Sequence, residues 1–175
     1  MNSSSKYITS GDFIAKTLKK CKKCFQITDQ ARMIVPYDKL LNLSLIRVKS
    51  YSRYVIIMNS EKDNSSLGHW FNLAVFDHKF LVLCDGLGKI FSKHHDIMQN
   101  IYSFCKKHHY RFINLGLRYQ LYDSLCCGYL ALFIIAKTTK LSFKGFLAMK
   151  KTLMQQSISS NEKYMLKCVK LHFKL

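Results

Sequence analysis

Proline occurs once, at Pro36, glycine only seven times, and no stretch concentrates either of them with serine. No flexible linker therefore divides the chain, and neither a repeat nor a low-complexity tract interrupts it. With 175 residues and 49% hydrophobic content, the chain reads as one folded domain, residues 10–175, behind a flexible N-terminus of residues 1–9. Met1 to Lys6 lack an apolar segment, so no secretory signal is expected. The longest apolar run, Leu125 to Ala136, spans about a dozen residues, too few to cross a bilayer and suited to a buried core helix. Acidic residues are scarce as well, 10 against 28 lysines and arginines, for a net charge of +18. Such a field attracts polyanions on any fold, so DNA is an expected partner and a membrane is not. Cysteine is present in odd number, seven, which excludes a simple disulfide framework and leaves reduced thiols, one of them a candidate nucleophile.

The elements follow from periodicity. Phe13, Ile14, Thr17 and Leu18 predict a short helix from about Ser10, ending in the basic run Lys19–Lys23, and a helical turn follows Pro36 from Tyr37 to Leu43. Tyr54–Met58 is a β-branched run expected to form a buried strand. Trp70–Phe76 and Phe80–Cys84 flank Asp77-His78-Lys79 as a hairpin, and Arg111–Leu115 is a further strand. Lys93–Lys107 has helical character. Asp123-Ser124 is expected to cap a buried helix through Thr138, and Ser142 to start another through Met154. The sum is an α+β fold with a central mixed sheet flanked by helices.

Four residues stand out in chain order: His69 in Gly68-His69-Trp70, Asp85 in Asp85-Gly86-Leu87-Gly88, Gln120, and Cys127 seven positions later, followed by Gly128. They are the types a thiol hydrolase needs as base, orienter of the base, oxyanion donor and nucleophile. A hairpin turn of three or five residues sets His69 diagonal to Asp85 on one face, and a turn of two sets them on opposite faces. Cys127 falls just inside a helix N-terminus, where unpaired N–H groups and the helix dipole favour a thiolate. Cys126 competes for the role, but neighbouring helix positions diverge by about 100°, so only one of the two faces the imidazole. Gln120 lies on the loop entering that helix, and Trp70 reads as packing that shields the imidazole.

Gly-His-Trp, then Asp-x-x-Gly, then Gln-x6-Cys-Gly, between Tyr54 and Ser142, resembles the adenovirus-type cysteine endopeptidases (adenain-like), within the broader group of SUMO- and ubiquitin-like-specific proteases. The resemblance implies His69 as base, Asp85 as its partner, Gln120 as oxyanion donor and Cys127 as nucleophile, in a sheet packed on the nucleophile's helix. It implies cleavage of viral structural precursors, virion maturation, and location in the virion and host nucleus, or cytoplasm. The chemistry needs no cofactor, and DNA is a candidate activator. Adenovirus enzymes also carry a disulfide-tethered activating peptide, for which this chain has no cysteine at the corresponding place; Cys105 is only nearby. An isopeptidase acting on ubiquitin-like modifiers keeps the same chemistry. A basic nucleic-acid-binding structural protein with a vestigial site is the reading from another class.

Two features lie outside the constellation. Cys21-Lys-Lys-Cys24 has zinc-knuckle spacing, but no second pair follows at the usual distance; Cys105 and His108 are the donors nearest in type, and no metal is expected. Lys163, Lys167, Lys170 and Lys174 recur at helical spacing beside a stripe of Leu166, Val169 and Phe173, a basic amphipathic helix expected to contact DNA.

Overall fold

The structure, a computed structural model, describes residues 9–45, 50–62, 68–88, 95–122 and 124–175. The elements run α1 (Gly11–Leu18), α2 (Lys22–Ile27), β1 (Ile34–Pro36), a 3-10 turn (Tyr37–Asn42), β2 (Arg53–Asn59), β3 (Trp70–Phe76) and β4 (Phe80–Cys84). After these come α3 (His95–His108), β5 (Arg111–Asn114), α4 (Cys127–Thr138), α5 (Phe143–Met154) and α6 (Ile158–Phe173). The fold is α+β, with one open mixed sheet of five strands in sequential order. The inner pairs β2–β3 and β3–β4 are antiparallel, and the outer pairs β1–β2 and β4–β5 are parallel.

β2, β3 and β4 are buried on both faces, which is why they read as continuous apolar runs rather than alternating ones. α4 is apolar around nearly its whole circumference and is the helix packed on β3 and β2, with α6 on its other side. Two polar contacts fix its position. Asn72 Nδ2, buried in β3, donates to Ala131 O at 2.8 Å. Arg53 Nη1, at the start of β2, donates to Thr138 O at 3.3 Å and Leu141 O at 2.7 Å, placing a cation at the negative end of the helix dipole. Removing the Asn72 amide would lose one buried hydrogen bond, a net cost of about 0.5–1.5 kcal/mol. The first contact holds the N-terminal half of α4 against β3, and the second ties its C-terminal end to β2.

Several expectations shift. α4 begins at Cys127 with Cys126 as its N-cap, and Ser124 does not cap it: Ser124 Oγ donates instead to Cys126 Sγ at 2.9 Å. Asp123 and Lys93 lie outside the described residues, as do residues 1–8 of the expected flexible N-terminus. Thr9, the last residue of that segment, is buried and its carbonyl accepts from Trp70 Nε1 at 3.0 Å. The basic run after α1 does not end helical structure, because Lys22 opens α2. Ser10 and Ser142 cap α1 and α5 as their sequences imply, accepting from Phe13 N and Gly145 N.

Candidate active site

The hairpin turn has three residues, and its register pairs Asn72 with Cys84 and Phe76 with Phe80. His69, just before β3, and Asp85, just after β4, therefore fall on the same face. His69 Nε2 lies 2.6 Å from Asp85 Oδ1, with the carboxylate buried and the imidazole 14% exposed. Leu87 N–H donates to the same Oδ1 at 3.0 Å, which fixes the rotation of the carboxylate. With Nε2 committed to Asp85, Nδ1 is the nitrogen that remains for the thiol. Ser60 Oγ accepts from His69 N–H at 2.8 Å and anchors the backbone beneath the imidazole. Gly68 is required beside it, because a Cβ there would fall 1.7 Å from Asn59 Oδ1. Phe71 stacks parallel to the His69 ring at 6.4 Å between centroids, while the buried Trp70 indole is tied to Thr9.

Cys127, the first residue of α4, faces the His69 ring. Burial opposes ionisation of its thiol, but the hydrogen bond and charge of His69, followed by the backbone N–H groups of Trp70 and Gly128, hold it below the ordinary cysteine range. Burial also opposes protonation of His69; the hydrogen bonds that its ring donates to Asp85 and Cys127, with their negative charges, outweigh it and raise the imidazole to about 9. The two shifts run in the direction that favours thiolate and imidazolium over the neutral pair. Cys126 behaves in the opposite way, pushed up to about 12, first by burial and further by Glu162. Burial likewise pushes the Cys84 and Cys24 thiols up, and Cys105 to about 11. Of the two adjacent cysteines, Cys127 is the one whose thiol is lowered and Cys126 the one whose thiol is raised.

Gln120 is buried on the loop entering α4. Its backbone N–H donates to Gly86 O at 2.9 Å, and its Nε2 donates to Ser124 O at 2.8 Å. A primary amide has two N–H donors, and the bond to Ser124 uses one of them. Cys127 N–H, in the first turn of α4, has no intrahelical acceptor of its own. Gly128 serves the scaffold rather than a substrate, since a Cβ there would lie 1.8 Å from Thr9 Oγ1. Sequence reasoning missed Ser60, Thr9 and Glu162. The last reaches from α6 to accept Leu121 N–H at 3.0 Å, steadying the loop that carries Gln120.

Of the four lysines, Lys163 and Lys167 are exposed on α6 and Lys170 is half-buried. Lys174 is not part of the helix: it is the C-cap, in the left-handed conformation at φ 52°. The opposite face of α6, Met165, Val169 and Phe173, is buried in the domain core. Among the described residues, no helix is long and apolar enough to cross a membrane. Compared with protein-family models, with curated proteins and with solved structures, the chain matches none of them.

Proposed function

We propose that this protein is a cysteine endopeptidase that uses Cys127 as nucleophile, His69 as base, Asp85 as the partner of that base and Gln120 as an oxyanion donor. The observation that carries the reading is one imidazole joined to a buried carboxylate on one side and to the first residue of a buried helix, a thiol held below its ordinary range, on the other.

The Cys127 thiolate attacks a peptide carbonyl carbon, and the electron pair of the C=O bond moves to oxygen. That oxyanion accepts hydrogen bonds from Cys127 N–H and from the second N–H of Gln120. His69 Nδ1–H then passes its proton to the departing amine, and the C–N bond breaks to leave a thioester. Water, deprotonated by the now neutral His69, adds to the thioester and releases the acid, and Cys127 leaves as thiolate beside the restored imidazolium. Throughout, Asp85 balances the imidazolium charge.

The motif resemblance supplies the substrate class, viral structural precursors processed in the virion or host nucleus, and the charge of +18 supports DNA as an activator. A thiol-directed peptide electrophile followed by peptide mapping tests the proposal. It should modify Cys127, and His69→Ala should remove the reaction at neutral pH. Modification confined to Cys126 would move the nucleophile by one residue, and none at all refutes the enzyme reading. Faster labelling by an electrophile carrying a ubiquitin-like C-terminus than by any peptide would move the substrate class to isopeptide bonds.

A further inference from the structure

A second group of cysteine and histidine shares no residue with the first. Cys21 is the N-cap of α2, and its Sγ accepts from Cys24 N–H at 3.4 Å, which holds the two thiols of the x-x spacing on one turn. His172 enters from the last turn of α6, 148 positions along the chain from Cys24, and sets Nε2 3.4 Å from Cys24 Sγ. The two Sγ atoms and Nε2 all lie within 4.8 Å of one another. A tetrahedral zinc ion, with Zn–S of about 2.3 Å and Zn–N of about 2.0–2.1 Å, holds a sulfur and a nitrogen about 3.5 Å apart. The Cys24–His172 edge already has that length, so the Cys21 thiolate would need little movement to complete three corners.

We propose that Cys21, Cys24 and His172 bind a zinc ion that fastens α2, near the N-terminus, to the C-terminal end of α6, with water in the fourth position. Two sulfurs and an imidazole select zinc over the hard cations magnesium and calcium. Binding releases the two thiol protons, so the two thiolates cancel the charge of the ion. That cancellation matters, because Lys140 acts electrostatically on both Cys24 and His172, and Lys137 on His172. His172 also lines a groove of about 430 Å³ between α4 and α6, bordered by Phe133, Lys137 and Lys140, so the imidazole is open to solvent on that side. The sequence has the Cys-x-x-Cys half of this site in plain view. The third donor is not Cys105 or His108: it is a histidine at the far end of the chain, which only the packing of α6 reveals.

The test is the metal content of the full chain purified without chelator, read by elemental analysis. About one zinc per chain is expected. Cys24→Ser and His172→Ala should weaken zinc binding by more than the ~10–100-fold that losing an outer-shell partner costs. Cys127→Ala and Cys105→Ser should keep it. Cobalt(II) in place of zinc should give thiolate charge-transfer absorption that weakens in Cys21→Ser and in Cys24→Ser and disappears when both are replaced. Should a variant fail to fold, the wild type carries the test: chelation should lower its Tm, and zinc but not magnesium should restore it. Metal that survives His172→Ala, a Tm indifferent to zinc, or a loss of two hydrogens from the Cys21–Cys24 peptide, the mark of a disulfide, overturns the proposal.

Discussion

Two histidines in this fold each lie against a cysteine sulfur, and their surroundings drive them to opposite charge states. Behind His69 stands a buried carboxylate, Asp85 Oδ1 at 2.6 Å, and the ring is raised to about 9. Acting on His172 are burial and the charges of Lys140 and Lys137, which hold it below the ordinary histidine range. The sulfurs follow their partners. Cys127 is drawn toward thiolate by an imidazolium, whereas burial pushes the Cys24 thiol up. A Cys–His contact thus has no fixed chemistry: the group behind the ring decides whether the pair is drawn toward an ion pair suited to nucleophilic attack or stays neutral until a metal displaces the thiol protons.

Removing the sulfur at the first site breaks the comparison most completely. Cys127→Ala should lower peptide cleavage by about 10⁶-fold, as loss of a nucleophile does in other hydrolases, while leaving the second cluster intact. Cys126→Ser should keep most activity, because the Cys126 thiol is pushed up to about 12 and donates nothing to catalysis. Turnover of a peptide substrate measures both, and the reverse ranking would move the nucleophile by one residue. Next in size is Gln120→Ala, expected to cost about 10²–10³ in kcat with little change in KM. An effect on KM alone would mean that Gln120 supports the loop through Ser124 and Gly86 and touches no oxyanion.

The carboxylate itself sharpens the contrast. In Asp85→Asn, Leu87 N–H should hold the amide oxygen at the Oδ1 position, so His69 Nε2–H keeps an acceptor and its tautomer. The loss should then be about 10²-fold, well short of the ~10⁴-fold that follows when an amide imposes the wrong tautomer on a catalytic histidine. The pH profile supplies the sign. His69 is raised by Asp85, so wild-type activity should fall as pH rises through about 9, where the imidazolium loses its proton. Without the carboxylate charge that limb should move to lower pH, and alkylation of Cys127 should need higher pH. A limb that stays near 9 in Asp85→Asn would show that Asp85 is not what charges the ring.

The hairpin that makes this site was legible because its two strands are apolar runs separated by three turn residues, so register followed from counting. The contact of His69 with Asp85 came with it, since both flank the same ladder. Elements held by single distant contacts were not legible. β1 is three residues ending in Pro36, whose missing N–H suits only a strand end, and it is recruited through pairing with β2. α2 is six residues inside a basic run, stapled by a sulfur cap that no propensity encodes. Thr9, Glu162 and His172 each act across a large sequence separation, on Trp70, Leu121 and Cys24, and nothing in their neighbours announces it. The start of α4 was misplaced for a local reason, because the Ser124 hydroxyl turns onto Cys126, donating to its sulfur and accepting its N–H, and so holds the residue before the helix rather than one inside it.

The smallest expected effect belongs to the basic face, and it asks whether α6 serves anything besides the two sites it touches. One side of α6 is buried through Met165, Val169 and Phe173, and Glu162 and His172 engage the active-site loop and the thiol pair. Lys163 and Lys167 alone project fully from the helix, with Lys170 half-buried and Lys174 on the cap. If duplex DNA is the activator, affinity should fall with salt at a log–log slope of about −0.9 per phosphate neutralised. Changing Lys163 and Lys167 together to Gln should flatten that slope by about two contacts. Lys170→Gln and Lys174→Gln should each change it less, the first through its half-buried position and the second because it lies off the helix. Activity on a small neutral peptide should not move in any of these variants, since none touches His69, Asp85, Gln120 or Cys127. A slope that is unchanged in the double variant would assign the lysines to solvation of a core-packed helix and leave the +18 charge to be read elsewhere on the surface.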